Sequence, residues 1–447
     1  MALNTEKCNA WVERDKKVFA PTQHLSYYPM VIKKVDQDVI YDEDDNQYID
    51  FLSSASSLNL GSCNPIITAV KEQLDNYSQY TIAYTYGRKS IEYAERLTSV
   101  YPGGVPAKIV FGNCGSDAND AAVKFARAYT GRSKIITFIN AYHGSTYGSI
   151  SMSMVTTRMR AKMGPMLPDI YCFPFYDVSY DDETCEKECI ADIERAFATY
   201  LPAEEVAAVI IEPVQGDAGL LAGHPIFMKK LYDLCKKNGI LFISEEVQQG
   251  FYRTGKFFGI EHYDIIPDGI IMGKSIGAGF PLGGFMAKAE IMDCLPAPAH
   301  LFTLGGNATA CAAGVAAFDY LQSDEFQKIL ADNTKLLEEC VADLRATFPD
   351  VITGRRGIDM SCALVVTKKD ENGNDVPDGD GTFKILYRAY ERGLLIISLS
   401  ENILRVQPPL NIRPENLKKG FAILKDSIRD YVNGDIPDSV MEFRAGW

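Results

Sequence analysis

Between about Asn64 and Tyr320, short apolar runs alternate with amphipathic helical stretches, and this alternation limits the fold more than any other feature. Lys134-Ile-Ile-Thr-Phe, Val206-Ala-Ala-Val-Ile-Ile and Ile240-Leu-Phe-Ile are continuous apolar segments. A strand with one wet face alternates apolar and polar residues, whereas a strand covered on both faces does not. The runs therefore predict a mainly parallel sheet with helices on its faces. One such helix is expected from Ile226 to Asn238, closed by Gly239 as a C-cap. The result is an α/β fold whose large domain is placed at 61–322.

After about Gln322 the pattern changes. A charged helix over Phe326 to Phe348 precedes Ala363-Leu-Val-Val-Thr, and a second over Gly381 to Arg392 leads into Gly393-Leu-Leu-Ile-Ile-Ser. This reads as a smaller α+β domain over 323–447. The N-terminal segment, 1–60, carries two β-prone stretches around a polar turn between Asp38 and Asp50, a hairpin expected to join the smaller domain. The stretch from Asp370 to Gly381 is spaced like a calcium loop, but Asp375 stands where the obligatory glycine belongs and Gly381 where the bidentate glutamate belongs. A solvated acidic loop is the better reading.

Charge removes several function classes. The chain of 447 residues has 45 basic and 59 acidic side chains, a net charge of −14, and no basic cluster. Nucleic acid and anionic membrane surfaces, which need a positive footprint, are not expected partners. The first residues lack a charged-then-apolar leader, and no apolar run approaches the roughly 18 residues of a membrane span. The eleven cysteines are scattered and odd in number, which suits free thiols in a reducing cytoplasm. Cys185 and Cys189 share a helical face, but no second ligand pair lies nearby, so no metal site is expected.

The chemistry-bearing residues sit at strand exits. In Ile270-Ile-Met-Gly-Lys274-Ser-Ile-Gly a lysine directly follows an apolar strand and opens a glycine-rich turn. Desolvation there lowers a lysine pKa, as an imine-forming amine requires, although a lysine capping a surface strand would look the same in isolation. Gly115-Ser116 opens a helix whose apolar stripe is Ala118, Ala121, Ala122, Phe125 and Ala126. Such a start offers N–H groups, a hydroxyl and a positive dipole end to a phosphate; it also suits an ordinary serine cap. Tyr142, in Ala141-Tyr-His-Gly, follows a strand, where it can stack on a flat ring or simply pack. Glu245 and Glu246 end the apolar strand Phe242-Ile-Ser, and Glu212 ends another in Ile-Glu212-Pro-Val-Gln-Gly-Asp217. A carboxylate facing a pyridine nitrogen keeps it protonated and turns pyridoxal 5′-phosphate (PLP) into an electron sink. Arg405 precedes a rigid Pro-Pro and can hold a carboxylate in a bidentate fork or make a structural ion pair.

Together and in this order, these motifs resemble the class III aminotransferase-like family of fold-type-I PLP enzymes, over nearly the whole chain. The resemblance implies PLP as cofactor, with Lys274 as its imine-forming lysine. Gly115 and Ser116 would form the phosphate cup, and Tyr142 would stack on the ring with His143 beside it. Glu212 and Glu245 would be the site's acids, Val247 would pack behind the ring, and Gln248 would approach the ring hydroxyl. Thr303 resembles the threonine that reaches the phosphate of a neighbouring subunit, which implies a homodimer or larger homo-oligomer with shared sites. Arg405 resembles the arginine that binds the substrate carboxylate, and Tyr27 and Tyr28 are expected near the pocket. Two positions depart from the family pattern. Glu245 replaces an aspartate, one methylene shorter, and Ala308 replaces a proline.

Within the family, the chain is most similar to the amino-acid racemase and isoleucine 2-epimerase branch. The likeness is carried by Lys124-Phe-Ala-Arg-Ala-Tyr-Thr-Gly-Arg, Tyr142-His-Gly-Ser-Thr-Tyr-Gly-Ser, Pro298-Ala-His-Leu-Phe-Thr, Asn402-Ile-Leu-Arg and the closing Gly446-Trp447. It implies proton exchange at Cα of a neutral aliphatic α-amino acid held as an imine to PLP, with Asp217 matching the proposed second acid/base opposite Lys274. An aminotransferase, which needs a 2-oxo acid acceptor, is the alternative. A PLP-binding protein without catalysis is a further reading, favoured only by Glu245.

Overall fold

A computed structural model describes residues 3–444, which form two units: 64–323, and a second built from the segments up to Cys63 and from Asp324 onward. The closing Gly446-Trp447 lies outside the described residues.

The first unit is built on a seven-stranded sheet. Its strands are β1 (Ala107–Gly112), β2 (Lys134–Phe138), β3 (Ile170–Phe173), β4 (Val206–Ile211), β5 (Leu241–Glu245), β6 (Gly269–Met272) and β7 (Gly283–Lys288). The order across the sheet is β1-β7-β6-β5-β4-β2-β3. Neighbours from β6 through β5, β4 and β2 to β3 are parallel. Strand β7 runs antiparallel to both β6 and β1. The link from Met272 to Gly283 is too short for the dozen or more residues of a parallel crossover, so the chain must turn back. Every residue of β4, β5 and β6 is buried, as their continuous apolar runs require.

The helices that matter are α1 (Asn64–Asn76), α2 (Arg88–Ser99), α3 (Gly115–Thr130), α4 (Pro225–Asn238) and α5 (Ala308–Leu321). Helix α3 lays Ala118, Ala121, Ala122, Phe125 and Ala126 against Ala207, Ile210, Ile243 and Phe285 of the sheet. The small alanines let the helix axis approach the sheet closely, and Phe125 fills the remaining space. Gly239 ends α4 in the left-handed conformation at φ +62°, where glycine carries no Cβ penalty. Helix α5 packs on α1 and α2.

In the second unit, the strands Ile32–Asp36, Val39–Asp42 and Gln47–Asp50 form an antiparallel meander that includes the expected hairpin. The helices Asp324–Thr347, Gly379–Glu391 and Pro414–Asn433 accompany a second sheet around Ser361–Lys369. The run after Gly393 is divided rather than continuous. Leu394–Leu395 pairs in parallel with Gln47–Asp50, and Ile397–Leu399 pairs antiparallel with Ile403–Val406. Ile396 lies at the division, where its carbonyl accepts the Tyr28 hydroxyl. The acidic loop is also only partly solvated. Asp378 is buried and accepts the Gly381 N–H at 3.1 Å as the cap of the next helix. No helix among the described residues is long and apolar enough to cross a membrane.

Candidate active site

The carboxyl ends of the parallel strands converge, as expected for a ligand site in an open α/β sheet. Strand β6 ends at Met272, and Lys274 follows in the left-handed region at φ +49°. A non-glycine residue held there stores backbone strain of about 1–3 kcal/mol, which persists where the surroundings over-determine it. Between them, Gly273 permits a backbone crossing. A Cβ at Gly273 would stand 2.8 Å from Gly115 Cα and 2.9 Å from Gly115 N. A Cβ at Gly115 would in turn stand 2.8 Å from Val247 Cγ1. The lysine turn, the start of α3 and Val247 are thus in direct contact.

Helix α3 begins at Gly115, preceded by an extended Cys114. Asp117 accepts the N–H groups of Asn113 at 2.7 Å and Cys114 at 3.2 Å, which fixes the approach to the helix. The Ser145 N–H donates to Ser116 Oγ at 3.1 Å. Gly144, at φ +128°, lies so close that a Cβ there would meet Ser116 Oγ at 2.2 Å. The turn after β2 therefore lies against the helix start, and that turn carries Tyr142 and His143. The His143 ring is buried, 3.1 Å from Thr137 Oγ1, and burial pushes its pKa down to about 3, so it is neutral.

Glu212, just past β4, is buried and clamps two loops. One carboxylate oxygen accepts the Tyr142 N–H at 2.9 Å and the other the Gly216 N–H at 3.1 Å. Glu245, the last residue of β5, is buried and held by two long hydrogen bonds, from Asn119 Nδ2 at 3.5 Å and from the Val247 N–H at 3.4 Å. Burial raises the pKa of both glutamates, their mutual repulsion raises that of Glu245 further, and the Lys274 ammonium opposes the rise in each. Asp217 is buried nearby, and Gln248 Nε2 donates to its Oδ1 at 3.3 Å. One cluster thus contains Lys274, Glu212, Glu245, Asp217, Gln248, Val247, Tyr142, Gly115 and Ser116.

The remaining expected site residues are described within their own elements. Thr303 is exposed in the loop before α5, with its carbonyl 3.3 Å from Gln79 Nε2. Arg405, Tyr27 and Tyr28 belong to the second unit, where Arg405 is buried in the strand Ile403–Val406. One residue escaped the sequence reading, and one acid that it named takes a scaffold role. Asn119 is a fully buried amide in the apolar stripe of α3, and that placement was the available signal. Glu246 is also fully buried, and it serves the scaffold: it accepts the N–H groups of Gly259 and Ile260, each at 2.8 Å, and the Ser244 hydroxyl at 2.9 Å.

The cluster fits PLP. A buried carboxylate with only long hydrogen bonds, as Glu245 is, calls for a cationic partner, which a protonated pyridine nitrogen supplies. The start of α3 suits a phosphate, and Lys274 adjoins both, through the contact of Gly273 with Gly115 and the pull of its charge on Glu245.

Comparison with known proteins agrees. The aminotransferase class-III family profile matches residues 20–428. An isoleucine 2-epimerase of Lentilactobacillus buchneri is 36% identical, with 99% of each chain covered. A leucine/methionine racemase of Thermococcus litoralis is 34% identical, covering 98% of this chain and 99% of that one. A 5-aminovalerate aminotransferase of Pseudomonas aeruginosa is 35% identical, covering 94% and 98%. Among solved structures, a PLP-bound amine transaminase from an uncultivated Pseudomonas species superposes with a TM-score of 0.81 at 25% identity, covering 92% of this chain and 96% of that one. The chain belongs to the class-III aminotransferase family of PLP-dependent enzymes.

Proposed function

We propose that this enzyme is a racemase or 2-epimerase of neutral aliphatic α-amino acids. The observation that carries the reading is Asp217, a buried carboxylate in the cluster that contains Lys274, held by Gln248. Inversion at Cα needs a proton removed from one face and returned to the other, and hence an acid/base group on each side. Transfer of an amino group to a 2-oxo acid has no use for the second.

Bound PLP supplies an electron sink for the charge left at Cα. The chain's residues do the rest. Lys274 would hold the cofactor, and its amine would take or return the Cα proton on one face. Asp217 does so on the other. Each positioned acid or base is typically worth about 10²–10⁴ in rate. Glu245 keeps the ring nitrogen protonated. Glu212 fixes the backbone at Tyr142, which would stack on the ring, and at Gly216, which leads into Asp217. Thr303, exposed on its loop, is assigned a role toward a partner subunit in a homodimer.

Two relatives whose names describe a racemase and an epimerase, similar to this chain over nearly its full length, support the reading. A relative named as an aminotransferase, at 35% identity, keeps amino transfer as the second reading. The test is proton NMR of the holoenzyme with single L-amino acids in D₂O without any 2-oxo acid, with chiral chromatography of the same samples. Loss of the Cα proton signal with appearance of the D- or allo-isomer and sustained turnover is expected. Turnover only after a 2-oxo acid is added would establish an aminotransferase.

A further inference from the structure

We propose that Gln249 is a positioning residue for Asp217, acting through Gln248; the inference rests on the racemase reading above. The three side chains form a buried line of hydrogen bonds. Gln249 Nε2 donates to Gln248 Oε1 at 3.1 Å, and Gln248 Nε2 donates to Asp217 Oδ1 at 3.3 Å. Gln249 and Gln248 are 1% and 4% exposed, so water does not compete for these groups. The Gln248 carboxamide lies over Gly216, where a Cβ would meet its Oε1 at 2.1 Å. The residue before Asp217 therefore has no side chain because the amide occupies that space.

The direction of the line is set by its end. A carboxylate acting as a base only accepts hydrogen bonds, so Gln248 must turn its NH₂ toward Asp217. Its carbonyl then faces away and needs a donor, which Gln249 provides. With that donor gone, Gln248 gains a reason to rotate, and rotation brings a carbonyl against the carboxylate. The line ends on Asp217, so the face of Cα that Asp217 serves depends on Gln249 more directly than the face that Lys274 serves.

The experiment compares wild type with Gln249→Met, which keeps length and removes the amide, and Gln249→Glu, which keeps shape and removes the donor. Each holoenzyme is incubated in D₂O with whichever of L-leucine, L-isoleucine and L-methionine the wild type inverts fastest, and separately with the Cα-epimer of that amino acid. Deuterium entry with retention and deuterium entry with inversion are measured separately. PLP affinity, from titration of the visible absorbance, and the melting temperature of each variant are measured alongside. The expected result is a ratio of retention to inversion changed about tenfold or more in both variants, upward for the isomer whose Cα proton faces Lys274 and downward for its epimer, with PLP affinity changed by less than about fivefold. A purely structural role would lower both exchange modes together and leave the ratio unchanged, and that result overturns the inference. If Gln249→Met does not fold, the near-isosteric Gln249→Glu carries the test. A wild type that shows no inversion without a 2-oxo acid overturns the racemase reading and this inference with it. An inverting wild type with unchanged variant ratios overturns the inference alone.

Discussion

Asn119 Nδ2 stands 3.5 Å from Glu245 Oε1, so the first full turn of α3 reaches the acid assigned to the ring nitrogen. The same amide donates to the Gly115 carbonyl at 3.0 Å, which ties this contact to the start of the helix. The longer glutamate still has a hydrogen-bonding neighbour where the family carries aspartate. Glu245→Asp is expected to stay active, with PLP affinity lowered by less than about tenfold, because a charged partner for the ring survives. Glu245→Ala is expected to lose at least about a hundredfold in turnover, because the electron sink loses its protonated nitrogen. Steady-state rates and absorbance titration check both, and full activity of Glu245→Ala would remove the assignment.

Lys274→Ala should abolish the visible absorbance of lysine-bound PLP and lower turnover by about a thousandfold or more, since anchor and proton-transfer group go together. A spectrum and a progress curve suffice, and retained turnover would sink the assignment.

Asp217→Asn keeps the shape and the contact with Gln248 but cannot take a proton. Inversion is expected to fall by about 10²–10⁴ while PLP affinity stays within a few-fold. Equal, mild effects on both would refute the role of Asp217 as second base.

Glu246 gives a prediction on stability. Burial pushes its pKa up to about 7 from an ordinary value of 4.5. A folded-state pKa above the unfolded one means the native state holds the proton more tightly. The resulting stability is therefore fully present below about pH 4.5 and is lost as pH rises toward 7, by up to about 3 kcal/mol. Glu246→Gln cannot ionise, but its NH₂ faces one of the N–H groups of Gly259 or Ile260. The variant should melt below wild type at pH 5, and the gap should shrink by pH 8. Melting curves of the PLP-loaded protein across that range decide it, and a constant gap would show that Glu246 does not titrate there.

The sequence was most legible where one local segment sufficed. Lys274 stood out because an apolar strand and a glycine-rich turn adjoin it, and Gly239 because a C-cap is a local event. Asn119 was missed because its partner lies 126 residues further along the chain, and one amide in an alanine stripe carries no sign of what it faces. Glu245 and Glu246 were read as a pair, yet consecutive residues of an extended chain point to opposite faces, and the strand itself ends at Glu245. One joins the lysine cluster and the other anchors the turn at Gly259. The division of the run from Leu394 to Ile397 between two strands is not legible in the sequence, because hydrophobicity does not say which of two sheets a residue will join.

The crossing of Gly273 over Gly115 has a consequence for assembly. The two glycines are far apart along the chain and meet backbone to backbone, with no side chain able to bridge a gap between them. Neither half of the unit can shape the lysine turn against the helix start by itself. Capture of PLP during refolding should therefore lag behind secondary structure and coincide with the last long-range closure of the sheet, making the cofactor's colour a clock for the completion of folding.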